Sequence, residues 1–139
     1  MEYKRIDKSQ IEALWELQIL YKSEIGEEEP TYENFLNLKR AISDENIHFF
    51  GCMCNGNLVA CCSISMIFST FNYEKGGILE DFFIIKEYRH KGIAKQLIKF
   101  AYKESKISSL IVGSADCDVD MYKSLGFKIL IGNMLAFEH

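Results

Sequence analysis

The stretch "ILEDFFIIKEYRHKGIAKQLIKFA", residues 78–101, changes character half-way along. Residues 78–85 are apolar, with β-branched and aromatic side chains around the acidic pair Glu80-Asp81, and read as a strand. From Gly92 the period lengthens, and Ile93, Leu97, Ile98 and Ala101 fall on one face of a helix. Between the two lies a short turn carrying Arg89, His90, Lys91 and Gly92. The first amides of a helix point outward unpaired, and the macrodipole adds partial positive charge there. A phosphate fits such a helix start. Gly92 allows close backbone approach, Ala94 keeps the next turn small, and Arg89, His90 and Lys91 add donors and charge. The same residues also suit an ordinary solvated helix start in which the glycine only makes the turn. Neither a P-loop nor a three-glycine dinucleotide fingerprint is present.

Upstream, residues 9–23 place Ile11, Leu14, Trp15, Leu17 and Leu20 at helical spacing, with Ser9 as N-cap and Glu12 three positions on. Gly26 and Pro30 end that helix, and a shorter one is expected over 32–43. Residues 47–54 and 58–68 read as strands joined by Asn55-Gly56, followed by a loop over 69–77. Downstream come a strand within 108–115, a short helix over 119–126 closed by Gly126, and a last hairpin turning at Gly132-Asn133. This order predicts one α/β (α+β) domain over residues 1–139 with a mixed sheet.

Of the 139 residues, 48% are hydrophobic and 26% charged, enough for a sizeable core. A net charge of −4 argues against a nucleic-acid partner held by bulk charge. The longest apolar run, within 58–68, is interrupted by serines and too short to span a bilayer, so no membrane partner is expected. The start lacks the apolar core of a signal peptide, so a cytoplasmic location is expected. Cys52, Cys54, Cys61, Cys62 and Cys117 then read as reduced thiols packed as small hydrophobes. Their spacing does not match the paired C-x-x-C of a structural zinc site, and no metal is expected. His48 and His139 show no partner and receive no role.

Residues 78–101 resemble motif A of the GNAT acyltransferases, in which a strand leads through R/Q-x-x-G-x-G/A into a helix, here Arg89, Gly92 and Ala94. "MYKSLGF", residues 121–127, resembles that family's second signature, a tyrosine shortly before Gly-Phe. Residues 79–83 with Tyr88-Arg89 look especially like the polyamine and diamine acetyltransferase branch. The resemblance implies a mostly antiparallel sheet flanked by helices, with a splayed pair of parallel strands forming an acetyl-CoA site. It implies that backbone groups of Phe82 and Ile84 pair with the pantetheine arm, and that the pyrophosphate meets the backbone of Arg89, His90, Lys91, Gly92, Ile93, Ala94 and Lys95. In one respect the chain departs from the family. Ala115 and Asp118 stand where an Asn and an Ala are usual, seven and four residues before the tyrosine.

An amine attacks a thioester only as the free base, so transfer needs a base or water relay and an acid for the departing thiolate. Glu80 is the candidate base and Asp81 the reserve. Strict alternation would put Glu80, Phe82 and Ile84 on one face, Asp81, Phe83 and Ile85 on the other, with the apolar strand desolvating Glu80. Tyr122 is the candidate acid. The chain is thus expected to be an acetyl-CoA-dependent N-acetyltransferase of a small-molecule amine. The alternatives are a peptide or protein amine as acceptor, or a non-catalytic CoA-binding module. The acidic residues Glu24, Glu27, Glu28, Glu29 and Glu33 would steer a cationic acceptor, or form a solvated charge run. An exposed edge in the last hairpin would support a homodimer.

Overall fold

The computed structural model describes residues 1–138. The expected Asn-Gly turn forms, with Asn55 and Gly56 both left-handed at φ 51° and 82°. It joins β2 (Ile47–Cys54) to β3 (Asn57–Ser69). On one side of this hairpin β1 (Glu2–Arg5) adds antiparallel to β2, a strand too short and polar to be read from its sequence. On the other, β4 (Glu74–Ile84) runs antiparallel to β3, and β5 (Ser109–Val112) runs parallel to β4. The sheet order is β1-β2-β3-β4-β5, mixed and mostly antiparallel as expected.

Helices cover both faces. Leu14 and Leu17 of α1 (Ile11–Glu24) are buried in a layer with Ile6, Phe49, Leu58, Cys61 and Phe83, and Leu38 and Ile42 of α2 (Tyr32–Ile42) pack against it. On the opposite face Ile93, Leu97, Ile98 and Ala101 of α3 (Ile93–Ser105) bury against Phe50, Cys62, Ile64, Leu79 and Ile84. The cysteines are free. Burial pushes the Cys61 thiol up to about 12, so it packs as a neutral apolar group. Among the described residues no helix is long and apolar enough to cross a membrane.

Several expectations change. A 3-10 turn over Lys8–Gln10 leads into α1 and is capped through Asp7, whose carboxylate accepts from Ser9 N–H at 2.8 Å while Gln10 Oε1 accepts from Asp7 N–H at 3.1 Å, so Ser9 and Glu12 are not the box. Leu20, at the same helical spacing as Leu14 and Leu17, is 46% exposed. The loop over 69–77 shrinks to 70–73, because Gly76 and Gly77 lie within β4. There a Cβ on Gly77 would come within 2.4 Å of Ile64, so the pair permits close packing and does not make a turn. The last hairpin is absent: residues 127–138 have no regular structure, and Ile129, Leu130, Met134 and Leu135 are exposed. The dimer expected on its edge therefore loses its strand. Runs such as Ile129-Leu130-Ile131 do not alternate, so they specify no face and no register. His139 lies outside the described residues.

His48 does have partners. It is buried in β2, with Nδ1 2.9 Å from Ser105 Oγ at the end of α3 and Nε2 3.0 Å from the Glu45 carbonyl. A neutral ring donating from Nε2 and accepting at Nδ1 satisfies both bonds. Burial, aided by the Arg5 charge, lowers its pKa below the usual imidazole value near 6.5. The unfolded chain therefore binds this proton more readily. His48 contributes stability that is complete above about pH 6.5 and is lost as the pH falls toward the depressed folded value. Melting curves between pH 8 and 5 should show Tm falling on the acid side, with a shallower slope in His48→Gln.

Candidate active site

The site begins with an irregularity in β4. Ser63 pairs with Glu80 and Cys61 with Phe83, so Asp81 and Phe82 both stand opposite Cys62. Asp81 takes the extra place in a left-handed conformation, φ 52°. This bulge keeps Phe82 and Ile84 opposite Phe83 as expected but moves Glu80 off their face. Phe82 and Ile84 lie on the α3 side with Leu79, whereas Phe83 lies on the α1 side. Glu80, next to Leu79 in regular strand, faces the α1 side too and so shares no face with Phe82 and Ile84. It is exposed, so the apolar strand does not desolvate it. Asp81 is exposed as well, and its carbonyl lies 3.9 Å from the Cys61 sulfur.

Beyond the bulge β4 has an open edge. Pairing with β5 covers only Gly76–Leu79 against Ser109–Val112. β4 continues for five more residues with no strand of the described chain beside that edge. Ile85 N–H then donates to the Val59 carbonyl at 2.9 Å, a 3-10 turn spans Lys86–Tyr88, and His90 and Gly92 are left-handed at φ 62° and 83°. Gly92 is the N-cap of α3, and no side chain caps the helix start. A Cβ on Gly92 would meet nothing within 4 Å, so open space lies before these amides. His90, Lys91 and Lys95 are exposed around them. The turn thus holds uncapped N–H donors and three cationic or ionisable side chains, a setting suited to an anion.

Arg89 is held on the other face. Its Nε donates to the Ile84 carbonyl at 2.9 Å, its guanidinium lies 5.6 Å from the Phe83 ring centre, and its Nη2 pairs with Glu24 at the end of α1.

Tyr122 lies in α4 (Val119–Ser124), half-buried against the α3-side core, its ring edge-on to Phe127 at 5.8 Å. The helix closes as expected at Gly126: Phe127 N–H reaches the Tyr122 carbonyl and Gly126 N–H the Lys123 carbonyl. Burial raises the Tyr122 pKa above 10, helped by Asp118 and Tyr21. Tyr21 of α1, absent from the sequence reading, packs on Phe83 at 5.2 Å. Burial raises its pKa, and the Asp81 and Asp118 carboxylates add to the rise. Both phenols thus feel the Asp118 carboxylate, and Tyr21 that of Asp81 as well. Nothing in the α1 sequence marks Tyr21, because its place on the apolar stripe reads as core. His48 stands apart from this group.

The description "Acetyltransferase (GNAT) family" matches residues 11–127. The chain belongs to that family. It is therefore an acetyltransferase, and the open β4 edge and α3 start lie within the matched span. Among solved structures the acetyltransferase resembles an aminoglycoside acetyltransferase from an uncultured soil sample in complex with sisomicin (13% identity, TM-score 0.84, covering 99% of this chain and 95% of that one). It also resembles a predicted acetyltransferase of Clostridium acetobutylicum with acetyl-CoA (17%, 0.81, 99% and 95%) and a ribosomal-protein-alanine N-acetyltransferase of Brucella melitensis (16%, 0.75, 100% and 99%). At these identities the likeness is one of fold. No curated protein matches the sequence.

The left-handed Gly92 gives a direct test of the turn. Gly92→Ala meets no steric obstacle but forces a Cβ into φ 83°, which costs about 1–2 kcal/mol. Thermal unfolding should show a Tm loss of a few degrees, roughly 3–8 °C, without loss of the folded baseline.

Proposed function

We propose that the acetyltransferase moves the acetyl group of acetyl-CoA to the primary amine of a small, cationic molecule. The observation that carries this reading is the open backbone edge of β4 with, one short turn away, the uncapped start of α3. The pantetheine arm would add to the β4 edge beside Phe82 and Ile84, and the pyrophosphate would meet the amides of residues 90–95, the expected Arg89 amide being taken by the Lys86 carbonyl at 3.2 Å. The residues fit the group: the edge has no strand partner and the helix start has no side-chain cap. Bound there, acetyl-CoA supplies the acyl group as a thioester, with the Ile84 amide as a thioester contact.

Glu80 is the proposed base. Because it is exposed, water reaches it freely, and this favours relay of the ammonium proton through water over direct contact. Asp81, one residue on and turned by the bulge, is the reserve and would hold the ammonium close to Tyr21. Tyr122 is the proposed acid. Its raised pKa keeps the phenol protonated until it is passed to the departing sulfur. The exposed acidic segment after α1, with Glu27, Glu28 and Glu29, supports a cationic acceptor by steering it to this side. The short resemblance of residues 79–83 to the polyamine and diamine branch supports the same class, as does the sisomicin bound to the aminoglycoside enzyme of like fold.

Calorimetric titration with acetyl-CoA, dephospho-CoA, ATP and NAD tests the cofactor, and binding of acetyl-CoA but not of NAD is expected. Failure to bind acetyl-CoA at millimolar concentration overturns the reading. In an amine screen that follows, Glu80→Gln and Tyr122→Phe should each lower kcat by about 10²-fold or more. In the pH profile, the alkaline fall set by Tyr122 should lie above pH 10, the direction its burial dictates, and should vanish in Tyr122→Phe.

A further inference from the structure

Arg89 opens the phosphate-loop motif, yet its side chain is engaged on the α1 side of the sheet. Three different properties of the guanidinium are used there. Nε holds the Ile84 carbonyl, where the open edge of β4 ends. The flat face lies over Phe83, whose other neighbour is Tyr21. Nη2 pairs with Glu24, the last residue of α1 and 65 positions away in sequence. A lysine ammonium lacks the flat, forked shape that lets one side chain hold all three at once.

An exposed ion pair usually contributes little, because two mobile side chains must be immobilised to form it. Here the Arg89 end is already fixed by its bond to Ile84 and by the Phe83 ring, and the two side chains are only 35% and 39% exposed. Glu24 therefore meets a preorganised partner. The turn between Ile84 and Gly92 contains two left-handed residues, and α3 has no side-chain cap to anchor its start. The Glu24–Arg89–Ile84 chain is thus a tether from a helix outside the turn to the segment that presents the α3 amides.

We propose that Glu24 is a positioning residue of the acetyltransferase. By holding Arg89 it fixes the turn that receives acetyl-CoA and ties it to the end of α1, where the acidic segment Glu27–Glu29 begins. This rests on the acetyl-CoA reading above and extends it to a residue that the site motif does not include. Affinity for the acyl donor then depends on a carboxylate of the acceptor side, acting only through Arg89.

A double-mutant cycle on the full chain tests it, with the acetyl-CoA Kd read by calorimetry at low and high salt. Glu24→Ala should weaken binding about three- to fivefold at low salt, the range for a charge pair of this exposure, and less at high salt. Glu24→Gln, which keeps an acceptor oxygen, should recover part of the loss. In an Arg89→Met background, which has neither charge nor donor to offer Glu24, Glu24→Ala should add nothing further. Wild-type binding with an unchanged Kd in Glu24→Ala overturns the proposal. So does tighter binding, which would make Glu24 a competitor of the pyrophosphate for Arg89. An equal loss in both backgrounds overturns it too, because Glu24 would then act by another route. If the wild type itself does not bind acetyl-CoA, it is the cofactor reading that fails. Tm values for all five proteins show that folded chains are compared.

Discussion

A strand in a sheet needs partners for its N–H and C=O groups on both edges, and β4 loses one of its neighbours after Leu79. β5 stops at Val112, while β4 runs on to Ile84 with an uncovered edge. The arrangement of the site follows from that divergence. A fully paired strand would offer a ligand only side chains. A half-paired one offers a row of backbone groups whose spacing a linear amide-containing chain can match, as in β-augmentation. The α3 start stands at the far end of this row, so backbone donors continue from strand to helix with only a short turn between.

The side chains around this row divide by face, and the bulge at Asp81 makes the division. Before it Leu79 points to α3 and Glu80 to α1; after it Phe82 and Ile84 point to α3 and Phe83 to α1. One extra residue thus keeps aromatic bulk under both helical layers while leaving two consecutive carboxylates at the surface where the strands part. Tyr21 and Tyr122 come to the same region from opposite layers, one through Phe83 and the other through Phe127. Their phenols are half-buried and protonated, while the carboxylates near them remain in contact with water.

Much of this was legible in the residues. The change of period at Gly92, the Asn55-Gly56 turn and the buried face of α3 are local signals, and local signals survive into the structure. The bulge was not legible, because Phe82, Phe83, Ile84 and Ile85 are all apolar and fit either register. Only the tolerance of aspartate for left-handed backbone hints at Asp81, and many aspartates share it. Gly76 and Gly77 misled for the opposite reason: paired glycines suggest a turn, and here they admit Ile64 and Ser109 at close quarters. Tyr21 and Glu24 reach this region only through contacts with Phe83 and Arg89, and no pattern within α1 announces neighbours so distant in sequence. The C-terminal residues carry hydrophobicity without period, and no regular element forms from them.

The bulge also sets which kinds of inheritable change this chain can absorb. Asp81 is exposed and its side chain packs into no core, so replacing it alters charge and backbone preference at one point. Removing it would leave the layers as they are. With one residue fewer, Phe82 alone stands opposite Cys62, and plain alternation gives Leu79, Phe82 and Ile84 to α3 and Glu80 and Phe83 to α1, the sides they hold now. What such a loss takes away is the left-handed kink and one of the two adjacent carboxylates. The sheet therefore absorbs a one-residue difference in length at this point, and relatives of the fold can differ in the count between Glu80 and Phe82 while both layers stay packed.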